Sequence, residues 1–384
     1  MKRDSAAGPV AESSRITSLD LVRGVTVLGI LLMNVVHFKF GRTPYLNLSA
    51  GGSESWLDWV VGIGGEVFVD QKFMGLFSLL FGAGILLFID RAEARGGRPV
   101  RLNLWRNALL LGIGILHSLL WEGDVLIVYA VSALFLIALR KLPGPWLIAV
   151  GTGVFVLSVP VLLVMQAVTN ATDVALSGVW TPSQGDEVDF AGLNGAVLGL
   201  SLMGYFLRGL GLILMGAGLY RLGFMQGDWS ARTYRLTAGV GIGVGLPLAA
   251  VGALVTALGD YSRDVAFIGQ VPNTLGTIPA SLGYMSLIVL WNRGPDSALK
   301  QRLRAVGRMA LTNYLTQTVL GVLVLTIILD AAPINRAGIL LFVLAVWLLQ
   351  LWWSPAWMNR FRFGPAEWLW RAATYRKGQA LRRA

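Results

Sequence analysis

The chain has 384 residues, 55% of them hydrophobic and only 14% charged, with a mean hydropathy of +0.64. That balance excludes an ordinary soluble domain and predicts an all-α polytopic integral membrane protein. The net charge of +11 arrives without any nucleic-acid-binding motif, and zero cysteines exclude disulfides, thiolate chemistry and Cys-ligated metal sites.

The first 18 residues, "MKRDSAAGPVAESSRITS", are polar, and the apolar run after them is full length and lacks a small-residue cleavage site. It is therefore expected to stay in the mature protein as the first of about ten helices of the ~20 residues that crossing a bilayer needs. The predicted spans are 19 to 39, 70 to 90, 104 to 121, 124 to 140, 146 to 168, 198 to 220, 236 to 258, 270 to 292, 308 to 329 and 337 to 356. They make one transmembrane domain over residues 19–356, between a cytoplasmic segment at 1–18 and a basic cytoplasmic tail at 357–384. With both termini inside, every Lys and Arg except Lys39, Arg42, Lys72, Arg208, Arg263 and Arg336 falls on the cytoplasmic side. Topology and anionic headgroups then account for the basic balance. Between spans one and two, "ESWLDWVVGIGGEVFVDQKF" repeats Trp56, Trp59, Val60 and Ile63 at helical spacing, which suggests an interfacial helix ended by Gly64 and Gly65. The other long outer interruption, residues 169–197, contains "TPSQGDEVDF".

Ionisable groups at membrane depth cost several kcal/mol unless paired or hydrated, so each is a functional candidate. Asp20 and Arg23 lie three apart at the inner end of span one, where an ion pair is the simple reading. Asn34 and His37 approach its outer end, level with Glu66, Asp70 and Lys72. His117, one of two histidines, stands in "GILHSLLWEGD", in the outer half of span three and just below a turn made by Glu122, Gly123 and Asp124. An imidazole with a carboxylate in reach suits a general base of fixed tautomer. A buried histidine bonded to a backbone carbonyl, with Glu122 and Asp124 as loop charges, is the other reading of that fragment. Arg208 is mid-span in "YFLRGLGLILMGAG" and needs a cavity or an acidic partner. Near the inner end of span nine, "GRMALTNYLTQT" gathers Asn313 and Tyr314, which either bond across helices or line a pocket opening to the cytoplasm, where Arg308 and the nearby basic loop suit a phosphate-bearing ligand. There is no Walker lysine loop, no histidine cluster with metal-ligand spacing and no nucleophile elbow, and "GVGIGVGLP" inside a span reads as a packing surface.

Five ordered motifs, "LDLVRGVTVLGILLMN", "KFMGLFSLLFGAG", "GILHSLLWEGDVLIVYA", "GRMALTNYLTQT" and "GPAEWLWRAATY", resemble the YeiB-like family of bacterial membrane proteins, defined by domain of unknown function 418. The resemblance covers nearly the whole chain, with an amino-terminal part of about 19–168 and a carboxy-terminal family part of about 198–376. It implies kinship with transmembrane acyltransferases similar to heparan-alpha-glucosaminide N-acetyltransferase. The implied positions are Asp20, Arg23, Asn34, Lys72, His117, Gly123, Asp124, Asn313, Tyr314, Glu367, Trp368 and Arg371. In those sugar acetyltransferases the catalytic histidine lies between spans one and two, but residues 40–71 here contain none. Either His117 takes that role from span three, or this branch does different chemistry.

The expected function is transfer of an acyl group, acetyl being the simplest, from cytoplasmic acyl-CoA to a hydroxyl or amine acceptor on the far side of a bacterial inner membrane. A transporter or permease for a small or lipidic solute is the alternative. For the enzyme, the expected catalytic set is His117, Asp124 and Glu122; Asn34, His37, Lys72 and Arg208 would contact substrate, and Arg23, Arg308, Asn313 and Tyr314 would hold the acyl-CoA. No metal is expected. The expected partners are membrane lipids and a small-molecule or glycan acceptor, with a homodimer admitted and no nucleic acid.

Overall fold

In the computed structural model the described residues are 16–94, 99–171, 176, 179–181, 193–376, 378 and 380–383. The polar leader up to residue 15 and most of "TPSQGDEVDF" therefore lie outside them. The chain forms α1 (Thr17–Phe40), α2 (Arg42–Leu46), α3 (Trp56–Phe68), α4 (Lys72–Glu93), α5 (Pro99–Ser118), α6 (Leu126–Leu139), α7 (Gly144–Val156) and α8 (Ser158–Ala171). It continues with α9 (Leu193–Arg221), α10 (Ala231–Leu258), α11 (Gln270–Arg293), α12 (Ala298–Arg308), α13 (Ala310–Gly321), α14 (Arg336–Arg360) and α15 (Pro365–Tyr375). There is no strand among the described residues, so this is an all-α, multi-pass membrane protein.

Among the described residues, eight helical segments are long and apolar enough to cross a membrane. Two expected spans fall short for different reasons. α6 is apolar but has only 14 residues; α5 has 20 residues, but Arg101, Asn103, Arg106 and Asn107 load its inner half with polar groups. The stretch from 146 to 168 is two helices, α7 and α8, meeting at Leu157, because Pro160 has no N–H to continue the first ladder. The predicted end of the Trp56 helix at Gly64 and Gly65 is corrected: α3 runs on to Phe68. It also faces the opposite way from an amphipathic surface helix. Trp56, Val60 and Ile63 are exposed, whereas Asp58 is fully buried and accepts the Ala337 backbone N–H at 2.9 Å. The polar face is the inward one, as expected where the surrounding medium is lipid.

Glycines set the closest helix contacts. A Cβ added at Gly24 of α1 would sit 1.9 Å from the Leu303 carbonyl oxygen of α12, and one at Gly307 would sit 2.0 Å from that of Asp20. "GVGIGVGLP" does the same between α10 and α11, where a Cβ at Gly241 would sit 2.4 Å from the Pro279 oxygen. The α1–α12 approach brings the inner end of span one against the basic segment that carries Arg308. The main apolar core is shared by both halves of the chain, with Leu21 and Leu76 packed among residues such as Leu212, Met285 and Val306.

Candidate functional site

His117 occupies the last turn of α5, and its carbonyl accepts the Trp121 N–H at 3.0 Å, which folds the chain into the turn before α6. Gly123 is required there, because a Cβ would lie 2.2 Å from the Trp121 ring. That turn carries Asp124 back over His117. Asp124 Oδ1 is 2.8 Å from His117 Nδ1 and accepts the Tyr314 hydroxyl at 3.3 Å; Oδ2 accepts the backbone N–H of Leu126 at 2.9 Å and of Ile127 at 3.3 Å. The carboxylate thus caps α6 and holds the imidazole at once. With Nδ1–H donated to an ionised carboxylate, the basic lone pair is on Nε2. That nitrogen is buried and has no hydrogen-bond partner. A buried, oriented and uncommitted ring nitrogen is what proton abstraction from a bound nucleophile requires.

Glu122 does not join this pair. Its Oε1 lies 3.2 Å from His37 Nε2, so the expectation that it orients His117 is corrected. The hydrogen bond from His37 holds the Glu122 carboxyl below the usual carboxylate range. The two histidines bracket the same indole, with His37 at 5.5 Å and His117 at 6.2 Å from Trp121, ring centre to ring centre.

A cavity of about 280 Å³ lies at the basic end of the bundle. Arg23, Arg106, Arg308 and Arg371 line it together with Asp20 and Glu367, and Leu126, Tyr129 and Tyr314 form its other end. Tyr314 is therefore shared: it lines the cavity and donates to the carboxylate that holds His117. Arg106 is sandwiched between Phe88 and Trp370, its guanidinium carbon 4.6 and 4.2 Å from the ring centres. Arg23 Nη1 donates to Asp20 at 3.2 Å. Glu367, pushed up from the ordinary carboxyl range by burial, accepts from the N–H groups of Leu311 and Thr312 and from the Thr312 hydroxyl, which fastens α15 to the first turn of α13.

A second cavity, about 300 Å³, lies at the opposite end and is lined by Tyr45, Glu66, Asp70, Gln71, Arg208 and Arg336 among others. Lys72 is fully buried beside it. Its Nζ donates to the Glu66 carbonyl at 2.8 Å and to Asn273. Both donations commit it to structure, and it lines neither cavity, so the expectation that Lys72 contacts substrate is corrected.

The sequence-level candidates thus divide. Tyr314, Arg23 and Arg308 meet at the basic cavity, and His117 and Asp124 adjoin it through Tyr314. Arg208 lines the outer cavity. Asn313 lines neither: its amide donates to the Val306 carbonyl and to Ser354, and its oxygen accepts the Trp353 indole N–H, which corrects its assignment to acyl-CoA binding. Asn34 is half-buried and lines neither cavity. Sequence reasoning missed Arg106, Asn103 and Asn107, although polar residues three and four apart on an otherwise apolar helix are a signal for one lined face. It also missed Arg336, which is 2% exposed.

A family described as "Protein of unknown function (DUF418)" matches residues 219–377. Among curated proteins, "Uncharacterized protein YeiB" of Escherichia coli (strain K12) is 34% identical over 94% of this chain and 97% of its own length. "Uncharacterized protein YxaH" of Bacillus subtilis (strain 168) is 29% identical over 98% of both. An "Uncharacterized 39.9 kDa protein in amylase 3'region" of Bacillus acidopullulyticus is 28% identical over 96% of both. No solved structure matches. With the motifs around His117, Asn313 and Glu367 falling in one fold and a relative aligned end to end, the chain belongs to the YeiB-like family that carries DUF418.

Proposed function

We propose that this protein is an acyltransferase of the bacterial cytoplasmic membrane, which moves an acyl group from acyl-CoA in the basic cavity to a hydroxyl or amine acceptor reaching His117 from the other side. The observation that carries the reading is the continuity from four arginines, through Tyr314, to a His–Asp pair whose Nε2 is free. CoA presents several phosphates, and planar guanidinium groups are the side chains best suited to them.

In the proposed reaction Nε2 of His117 takes the proton of the acceptor as its oxygen or nitrogen attacks the thioester carbonyl. The Asp124 carboxylate stabilises the imidazolium that forms. Collapse of the tetrahedral adduct breaks the carbon–sulfur bond, the CoA thiolate leaves, and the imidazolium returns the proton to sulfur. General-base assistance of this kind contributes ~10²–10⁴-fold in rate.

Purified protein incubated with radiolabelled acetyl-CoA and membrane extract should release CoA and label an acceptor. His117→Ala should lose that turnover by about 10²–10⁴-fold while keeping expression and helical content. Undiminished turnover in His117→Ala would remove the residue from the mechanism. The permease alternative draws on Arg208 in the second cavity. Solute flux into proteoliposomes that persists in His117→Ala, without any CoA release by the parent protein, would favour it.

A further inference from the structure

The outer cavity holds charges for which the His117 site has no use. Arg208 and Arg336 are 4% and 2% exposed. Arg208 donates Nε to the Gly204 carbonyl at 3.3 Å and Nη1 to the Gln71 amide oxygen at 3.1 Å. Arg336 donates Nε to Ser53 Oγ at 2.8 Å and Nη2 to the carbonyls of Pro44 and Gly51 at 2.5 and 3.0 Å. Each of those acceptors is neutral, so no bonded carboxylate compensates either guanidinium. Glu66 lines the same space, and among the described residues its carboxylate makes no hydrogen bond or ion pair. Asp70, by contrast, is occupied by the Tyr45 hydroxyl at 2.7 Å and the Asn273 amide at 3.2 Å.

Arg336 and the buried Lys72 lie within electrostatic reach of Glu66 without bonding to it. Buried charges of both signs that share one cavity with no direct bond between them are complementary to a ligand that carries both signs. The shape of the cavity adds a second requirement. Apolar side chains line it too, among them Met33 and Val36 of α1 and Val60 of α3, and Val60 is 57% exposed on a helix whose Trp56 and Ile63 are also exposed. Through Val60 the lining reaches the exposed apolar face of α3. A free polar solute has no use for such an exit, whereas a lipid tail does.

We propose that this cavity binds the head of an aminophospholipid from the outer leaflet, its ammonium against Glu66, its phosphate against Arg208 and Arg336, and its acyl chains leaving past Val60. The assignment stands on the outer cavity alone and is independent of the acyl-transfer reading.

The full chain, purified in detergent and delipidated, is offered equal amounts of phosphatidylethanolamine and phosphatidylglycerol with matched chains, and retained lipid is read by native mass spectrometry. The expected preference for phosphatidylethanolamine is about tenfold. Glu66→Gln should abolish the preference while retaining lipid, and Arg208→Gln should weaken retention of both. Gly65→Leu is the control for folding: a Cβ there meets no atom within 4 Å, so the side chain enters open space at the cavity wall, and retention should fall with the unfolding midpoint unchanged. Equal retention of the two lipids by the parent protein, or a preference that survives both Glu66→Gln and Gly65→Leu, overturns the proposal. Displacement of the lipid by an equal concentration of glycerophosphoethanolamine reassigns the site to a free solute and overturns the lipid assignment.

Discussion

Asp124 makes four interactions through two oxygens: the imidazole and the Tyr314 hydroxyl on one, two backbone N–H groups on the other. An amide cannot replace it on both, because the NH₂ end of an asparagine faces a donor whichever way it turns. Asp124→Asn is expected to lower acyl transfer by on the order of 10²-fold or more, with kcat affected and KM for acyl-CoA little changed. Tyr314→Phe removes one 3.3 Å bond and leaves the imidazole contact in place, so its expected loss is smaller, within about tenfold. The neighbouring pair gives a pH signature instead. Because the folded-state Glu122 carboxyl is depressed by the His37 bond, its stabilising contribution is full above the ordinary value of 4.5 and is lost as pH falls through the lower folded value. The unfolding midpoint of the parent protein should exceed that of Glu122→Gln at neutral pH and converge with it toward pH ~3.

Among the elements, α12 and α15 bring Arg308 and Arg371 to the arginine cavity, and each is held by one specific device. α12 lies against α1 at Gly24 and Gly307, where backbone meets backbone. Gly24→Val must force the helices apart, and a cost of about 3 kcal/mol is expected, read as a lowered unfolding midpoint. α15 depends on Glu367, which serves three donors at the start of α13. Glu367→Ala leaves those donors unpaired and should loosen the cover that carries Trp370 and Arg371. The expected result is a raised KM for acyl-CoA with protein still folded, whereas an unchanged KM would separate α15 from ligand binding. The element predictions from sequence succeeded where an apolar run was long and uniform, as in α9, α10 and α14. They failed at the end of α3, which passes through Gly64 and Gly65 to Phe68 in a helix whose buried Asp58 is tied to α14 across 279 positions of sequence.

At the scale of the whole molecule, the charge asymmetry assigns an inside and an outside. Arg23 of α1, Arg106 of α5, Arg308 of α12 and Arg371 of α15 gather at one cavity, and α3 with Glu66 and Asp70 lies at the other. The absence of cysteine makes this directly testable, since any introduced thiol is alone. Glu54→Cys, exposed at the outer end, should react with a membrane-impermeant maleimide in intact spheroplasts, and Gly378→Cys should react only after permeabilisation. The reverse pattern would invert the bundle and place the cavity proposed for acyl-CoA on the wrong side for a cytoplasmic donor.

By itself the sequence determined the class, the solvent and the approximate helices, because hydropathy and the cost of exposed backbone in lipid act locally along the chain. It also singled out His117 and Asp124, since seven residues and a turn suffice to bring them together. Only the tertiary structure decided the partners. Glu122 and Asp124 stand two apart and serve different histidines, Asn313 packs inward while Tyr314 beside it reaches the cavity, and Arg336 joins Arg208 across 128 positions of sequence. Such choices depend on which helix faces which, a property of packing between distant segments that no local pattern records.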